Sequence, residues 1–500
     1  MRAVRSVLSG LLVVGTAFAI AQEKPNIVLI FSDDAGYGDF GFTGSLQIET
    51  PNIDSIAANG VIFTQGYVSA AVCSPSRAGL LTGKYQQRFG HEFNAGVTEA
   101  QPGDIPEMIG LPLEQLTFAD YMKDLGYTTG VIGKWHLGIE DHFHPRERGF
   151  DEWYFFRGGS RSYWEIEGNR RTRLEANPGP VRPVTYLTDD LGQAACRFIE
   201  RNADDPFFLY LSFSAPHTPL QAKDEDLAKY EWIENRRRRT YCAMVDSMDQ
   251  QVGEVLRTLR EQGVEENTIV IFLNDNGGQT DAGAINAPLN GMKGTFLEGG
   301  VRVAFCLKWP GHVAPGTTYD LPVISLDIMT TSIIAGGGSL PAEEDTKLDG
   351  LDLMPFLNGA ADGEPHETLY WRLGFGAAIR DGDWKLIRLP DRPPMLFNLA
   401  EDISEQNNLL WKRPEKAREL FKKLFAWEAT LQYPRFRTSP FWLKNNAERY
   451  DHEFILVQPP GKGGLSSSHC KCSARQVERR KLDSAVVDGC FNSMYDSGRD

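Results

Sequence analysis

The sequence predicts an α/β fold: a large mixed, mostly parallel sheet flanked by helices on both faces, followed by a smaller C-terminal α+β domain with an antiparallel sheet. Three observations carry this expectation. Short apolar runs rich in β-branched residues recur between residues 26 and 273, as buried parallel strands do. Amphipathic helical stretches separate them. Each run then ends abruptly in polar or charged residues.

At the N-terminus, Arg2 and Arg5 precede a mostly apolar stretch at 7–20, with small-x-small sites at 17–19 and 19–21. The stretch is shorter than the ~20 residues of a membrane span. Residues 1–21 therefore read as an export signal, with the mature chain beginning near Gln22 and a secreted or periplasmic location expected. The first strand is expected at 26–32, and others at 128–133, 206–214 and 268–273. Helices are expected at 52–59, 116–125, 189–202 and 237–262, the first two closed by Gly60 and Gly126. This alternation defines a domain spanning 22–345. Gly336-Gly337-Gly338 and Pro341 then punctuate the chain. Short strands are expected at 369–372, 377–380 and 384–388, with a hairpin signal at Asp381-Gly382 and a helix at 414–431. These make a second domain at 346–458, and the Gly-, Ser- and charge-rich remainder, 459–500, is expected to be a disordered tail.

A chain of 500 residues suits one large domain and a smaller one. Its net charge of −15 argues against nucleic-acid or anionic-membrane partners, and no second segment is apolar enough to span a membrane. An anionic substrate would need positive charge concentrated locally. The 7 cysteines are too sparse for a disulfide-stapled fold. Cys196, Cys242 and Cys306 are expected as core thiols. Cys470, Cys472 and Cys490 lack the partners of a convincing metal site.

The polar residues after the strands carry the chemistry. Asp33-Asp34 follows the first, Lys134-Trp135-His136 the second, Ala215-Pro216-His217 the third and Asp275-Asn276 the fourth. Ligands of open α/β sheets bind at the carboxyl ends of strands, so these ends are expected to form one site. Alone, each has a bland reading: a helix cap, a turn carboxylate or a structural histidine. Asp33, Asp34, Asp275 and Asn276 offer only oxygen, which favours calcium or magnesium over zinc. Lys134 and His136 would share a face if the strand continued through them. Lys293, next to Gly294, lies in a stretch able to approach a ligand closely. In CSPSRAGLLTG, Ser74 is a candidate cap and Pro75 suits the first turn, which puts Cys73 at a helix N-terminus. On physical grounds alone that cysteine is also readable as a reactive thiolate.

That run matches Cys-x-Pro-Ser-Arg followed by Thr-Gly. With FSDDAGYGD, TPNIDSIAANG, GKWHLG, APHTP, NDNGG and GMKGTFLEGGVRV, it resembles the type I, formylglycine-dependent sulfatases of the alkaline phosphatase superfamily, over roughly residues 24–430. The resemblance implies hydrolysis of sulfate esters. A separate maturing enzyme would oxidise Cys73 to formylglycine, whose hydrate attacks sulfur in line. The alcohol leaves, and the second hydroxyl collapses to the aldehyde and expels sulfate. Asp33, Asp34, Asp275 and Asn276, with residue 73, would hold one calcium ion per chain. Arg77 and Lys134 would hold the formylglycine and His136 would act as base. His217 and Lys293 would bind sulfate and protonate the leaving oxygen.

A sulfated carbohydrate is the expected substrate. Residues 153–164 carry many aromatics and glycines, and Arg157, Arg161 and Trp164 are candidate sugar contacts. The bland reading makes the aromatics core anchors. Two alternative functions stand: a phosphate or phosphonate ester hydrolase of the same superfamily, and a non-catalytic carbohydrate-binding homologue.

Overall fold

The strands Asn26–Ser32, Thr128–Lys134, Phe207–Ser212 and Thr268–Asn274 form the middle of a nine-stranded sheet. The structure is a computed structural model describing residues 24–96, 104–164, 167–181, 185–342 and 347–464. The expected export signal, Cys470, Cys472, Cys490 and most of the expected tail lie outside the described residues.

Across the sheet the strands run 317–319, 61–63, 305–308, 268–274, 26–32, 207–212, 128–134, 152–156 and 175–177. The central strands pair in parallel, and antiparallel pairing appears where 305–308 joins 268–274 and 61–63, and where 175–177 joins 152–156. The expected apolar runs thus occupy the centre, where both faces are covered. Val28 and Ile30 face the layer of Pro51–Ala58, Leu187–Asn202 and Arg236–Glu261. Ile27, Leu29 and Phe31 face Cys73–Thr82, Phe118–Asp124 and Asp327–Ala335. Each large side chain buried this way contributes about 1.5–3 kcal/mol, so the two helix layers hold the central strands rigidly. Register pairs Ser32 with Asn274 and Gly133 with Ser212, which aligns the carboxyl ends that the site uses.

The smaller domain is a four-stranded antiparallel sheet, Thr368–Leu373, Gly376–Asp381, Trp384–Arg388 and Met395–Asn398, packed against the helix Pro414–Glu428. Its core continues into the large domain: Trp371 donates its indole N–H to the Val68 carbonyl at 2.7 Å. Two expected boundaries shift. Leu348 and Leu353 belong to the large core, so that domain extends past 345. Residues 459–464 are not loose: Gln458 donates to the Gly38 carbonyl and Pro460 accepts from Gln47, before the short turn Lys462–Gly464. No helix among the described residues is long and apolar enough to cross a membrane.

Candidate active site

The four central strand ends converge on Cys73. This residue opens the helix Cys73–Thr82, with Val72 as N-cap. Ser74 is therefore inside the helix and does not cap it. Its hydroxyl donates to the His136 carbonyl at 2.6 Å and meets His91 Nε2 at 2.7 Å, while Asn94 Oδ1 accepts from its backbone N–H. Cys73 Sγ lies 3.6 Å from Asp33 Oδ1 and 3.8 Å from Asp34 Oδ1. Burial, then the Asp275 carboxylate, push this thiol well up from the usual cysteine range, which counts against a reactive thiolate.

The cations are fixed by the carboxylates. Lys134 Nζ pairs with Asp33 Oδ2 at 2.6 Å, and Lys293 Nζ with Asp34 Oδ2 at 2.7 Å. Arg77 grips Asp275 Oδ2 at 2.8 Å and also bonds Ser212 and the Lys134 carbonyl. Burial works against the charge on Asp33, but Lys134, His217 and Arg77 overcome it and hold the carboxyl far below its usual range. Asp275 is pushed up to about 7 by burial and then by the Asp33 charge, against Arg77 and Lys134.

Two backbone turns shape the site. Asp34 has φ of 65° and His136 φ of 60°, a conformation costing a non-glycine residue about 1–3 kcal/mol and concentrated at functional sites. The strand ends at Lys134, so Lys134 reaches the site from the strand end and His136 through the left-handed turn beyond it, not by strand alternation. The His136 ring packs on Gly159, where a Cβ would sit 2.5 Å from Cε1. Both His136 ring nitrogens are buried without a hydrogen-bond partner among the described residues. Burial, then Lys134 and Arg77, drive its pKa well down, so the ring is neutral. His217 engages the Thr218 carbonyl through Nδ1 at 2.6 Å and turns Nε2 toward Asp34 at 3.5 Å.

The donors fit a hard cation. Ligand atoms of Asp33, Asp34, Cys73 and His217 lie within 4.8 Å of one another. Asn276 joins them by donating Nδ2 to Asp34 Oδ1 at 2.8 Å, and its Oδ1 is buried with no hydrogen-bond partner among the described residues. Crowded carboxylates and an orphaned amide oxygen are what a divalent cation would satisfy, and the predominance of oxygen suits calcium.

Cys73, His136, His217 and Lys293 open on a cavity of about 410 Å³. Its other walls include Gly159, Arg171 and Thr172, and also Trp442, Asn446 and Arg449. Sequence reasoning missed this last group. Ser439-Pro440 is a helix-start signal, and Ser439 caps Pro440–Glu448, but nothing local says that this helix returns to the site. The expected sugar contacts are placed differently. Arg157 is buried and committed to Glu175 at 2.6 Å and Asp141 at 2.8 Å. Arg161 is also buried, with Nε donating to the Ser162 carbonyl. Trp164 is half-exposed against Tyr186 and lines a separate hollow with Lys223. Residues 152–156 form a strand, with Tyr154, Phe155 and Phe156 in the core.

Opposed charges held rigidly at a sheet's carboxyl edge, and open to a cavity, equip a hydrolase of anionic esters. The chain belongs to the sulfatase family, whose model, described as Sulfatase, matches residues 25–338. It is similar to N-acetylgalactosamine-6-sulfatase of Mus musculus, 35% identical over 77% of this chain and 75% of that one. Arylsulfatase A of Homo sapiens is 32% identical over 80% of this chain and 86% of its own length. Among solved structures, Ps i-CgsB in complex with k-i-k-neocarrahexaose superposes with a TM-score of 0.78 at 35% identity, covering 86% of this chain and 99% of that chain. The chain is thus a sulfuric ester hydrolase.

Proposed function

We propose that this sulfatase is exported and releases sulfate from a sulfated carbohydrate, using formylglycine at position 73 and calcium. The observation that carries the mechanism is the convergence on Cys73 of Asp33, Asp34, Lys134 and the unpartnered His136. The carbohydrate reading is supported by the oligosaccharide held by the 35%-identical Ps i-CgsB.

Cys73, oxidised to formylglycine by a separate maturing enzyme, supplies the oxygen nucleophile. Asp33, Asp34, Asp275 and Asn276 would hold the calcium, which when bound polarises a sulfate oxygen as a Lewis acid. Arg77 and Lys134 are anchored cations beside residue 73 and stabilise negative charge there without reorganising. His136 is neutral and has free ring nitrogens, so it is the group equipped to take a proton from residue 73. Lys293 Nζ and His217 Nε2 face the cavity, bind the sulfate oxygens and deliver a proton to the leaving oxygen.

The test uses protein made in a host with a competent maturing enzyme. Mass spectrometry of the Cys73 peptide is expected to show the aldehyde or its hydrate, and Cys73→Ala to abolish sulfate release from sulfated oligosaccharides. Full activity from unmodified Cys73, or faster turnover of matched phosphate esters, would overturn the reading.

A further inference from the structure

We infer that Arg449, supported by Asn446 and Trp442, forms a second anion subsite, so that the preferred substrate carries another sulfate or carboxylate beside the ester that is cleaved. This deepens, and rests on, the sulfated-carbohydrate reading.

Arg449 is 8% exposed and lines the cavity with Cys73 and Lys293. Its Nη1 donates to the Lys293 carbonyl at 2.6 Å and reaches Asn446 Oδ1 at 3.5 Å. Its Nε and Nη2 make no hydrogen bond, and no carboxylate pairs with it, among the described residues. Asp281 and Asp34 act on it only from beyond ion-pairing distance. Burying a cation without a counter-charge is costly, and proteins ordinarily avoid it. Arg77, Arg157, Arg238 and Arg302 are buried to a similar degree, and each pairs with a carboxylate. Arg380 lacks one but spends all three nitrogens on Gly382, Tyr67 and Gln65. Arg148, also buried without a carboxylate partner among the described residues, gives Nη2 to the Gln115 carbonyl and leaves Nε without a hydrogen bond, as Arg238 leaves Nη2, but neither lines this cavity; of these arginines Arg449 keeps its unspent donors at the cavity wall.

A second observation points to a ligand at the same place. Asn446 is 8% exposed and lines the same wall, and its Nδ2 is buried with no hydrogen-bond partner among the described residues. A planar guanidinium and an amide N–H side by side suit a tetrahedral sulfate or a planar carboxylate. Trp442, half-buried against Phe93 and Phe441, also lines this wall, and an indole there suits the apolar side of a sugar ring. Lys293 supplies the geometric link. Its ammonium serves the scissile sulfate while its carbonyl anchors Arg449, so the two anions would be read by adjoining groups at a fixed spacing.

Calorimetry on the calcium-loaded Cys73→Ala protein tests this without turnover. The probes are carrageenan oligosaccharides with one and with two sulfates per repeat, and a chondroitin 6-sulfate disaccharide carrying one sulfate and one uronate. A second anion of the preferred kind is expected to tighten Kd at least tenfold. Adding Arg449→Gln should erase that preference, and Arg449→Lys should keep part of it. Thermal unfolding of each variant checks that the fold survives. An equal loss on all probes would make Arg449 a support for the Lys293 loop and overturn the inference, as would the absence of any preference for a second anion. If no saccharide binds while the wild-type enzyme hydrolyses 4-nitrophenyl sulfate, the carbohydrate reading itself fails, and the subsite with it.

Discussion

Lys134→Met tests whether the site is a balanced charge cluster awaiting a divalent cation. The substitution removes an ammonium 2.6 Å from Asp33 Oδ2, with both side chains fully buried. The other cation near Asp33 is Arg77, 3.7 Å from Oδ1 and already paired with Asp275 at 2.8 Å. Coulomb attraction at the Lys134–Asp33 distance is about 6 kcal/mol at an effective dielectric of ~20. After neighbouring groups recover part of this, breaking such a buried pair costs about 3–5 kcal/mol. Calcium would restore positive charge beside Asp33, so it should stabilise the variant more than the wild type, for which ligand at 100 times Kd contributes about 2.7 kcal/mol. The assay is urea unfolding of both proteins, stripped with EDTA and again saturated with calcium. The expected result is a gap of about 3–5 kcal/mol without metal that narrows with calcium, and a fall in turnover of about 10²–10³ from the lost electrostatic stabilisation. A metal-free gap below about 1 kcal/mol, or one that widens with calcium, would refute the charge-balance argument.

Other substitutions separate the remaining roles. His217→Ala is expected to slow substrates with poor leaving groups most, and His136→Ala to slow all leaving groups alike, each by about 10²–10⁴ at the extreme; parallel dependence on leaving-group pKa in both variants would contradict the division. Arg157→Gln should cost about 1–3 kcal/mol of stability by breaking the bonds to Glu175 and Asp141, yet leave the ratio of kcat/KM on oligosaccharide and aryl sulfate unchanged; a selective loss on the oligosaccharide would return Arg157 to substrate binding. Between the domains, burial opposes the charge on Glu298, but Lys385, Arg302 and Arg380 hold its carboxyl down to about 2. Its folded pKa lies below its unfolded one, so the stability it contributes is complete above the ordinary glutamate value of ~4.3 and is lost progressively as pH falls from there through the folded value of about 2. Lys385→Met should therefore flatten the acid limb of a stability–pH curve, and an unchanged limb would show that the pair does not contribute.

The sequence by itself determined the central sheet and the chemistry at its edge. Buried parallel strands must be apolar throughout, so Asn26–Ser32 and Thr268–Asn274 are legible as continuous runs, and Asp33, Asp34, Asp275 and Asn276 stand out because polarity begins where each strand ends. The short strands Val61–Phe63, Phe305–Lys308 and Thr317–Tyr319 on one side of the sheet were not legible, since three or four residues are too few to show a period. Tertiary structure alone decided which arginines line the cavity. Arg157 stands in an aromatic segment that reads as a sugar platform, but Glu175, brought alongside by the antiparallel pairing of 175–177 with 152–156, takes its charge. Arg449 has no local signal at all; it matters because the segment after Ser439 folds back over Lys293, some 156 residues away along the chain. Local patterns encode what a residue needs from solvent and from its own turn of backbone. Which distant group satisfies a buried charge depends on contacts that only the folded chain creates.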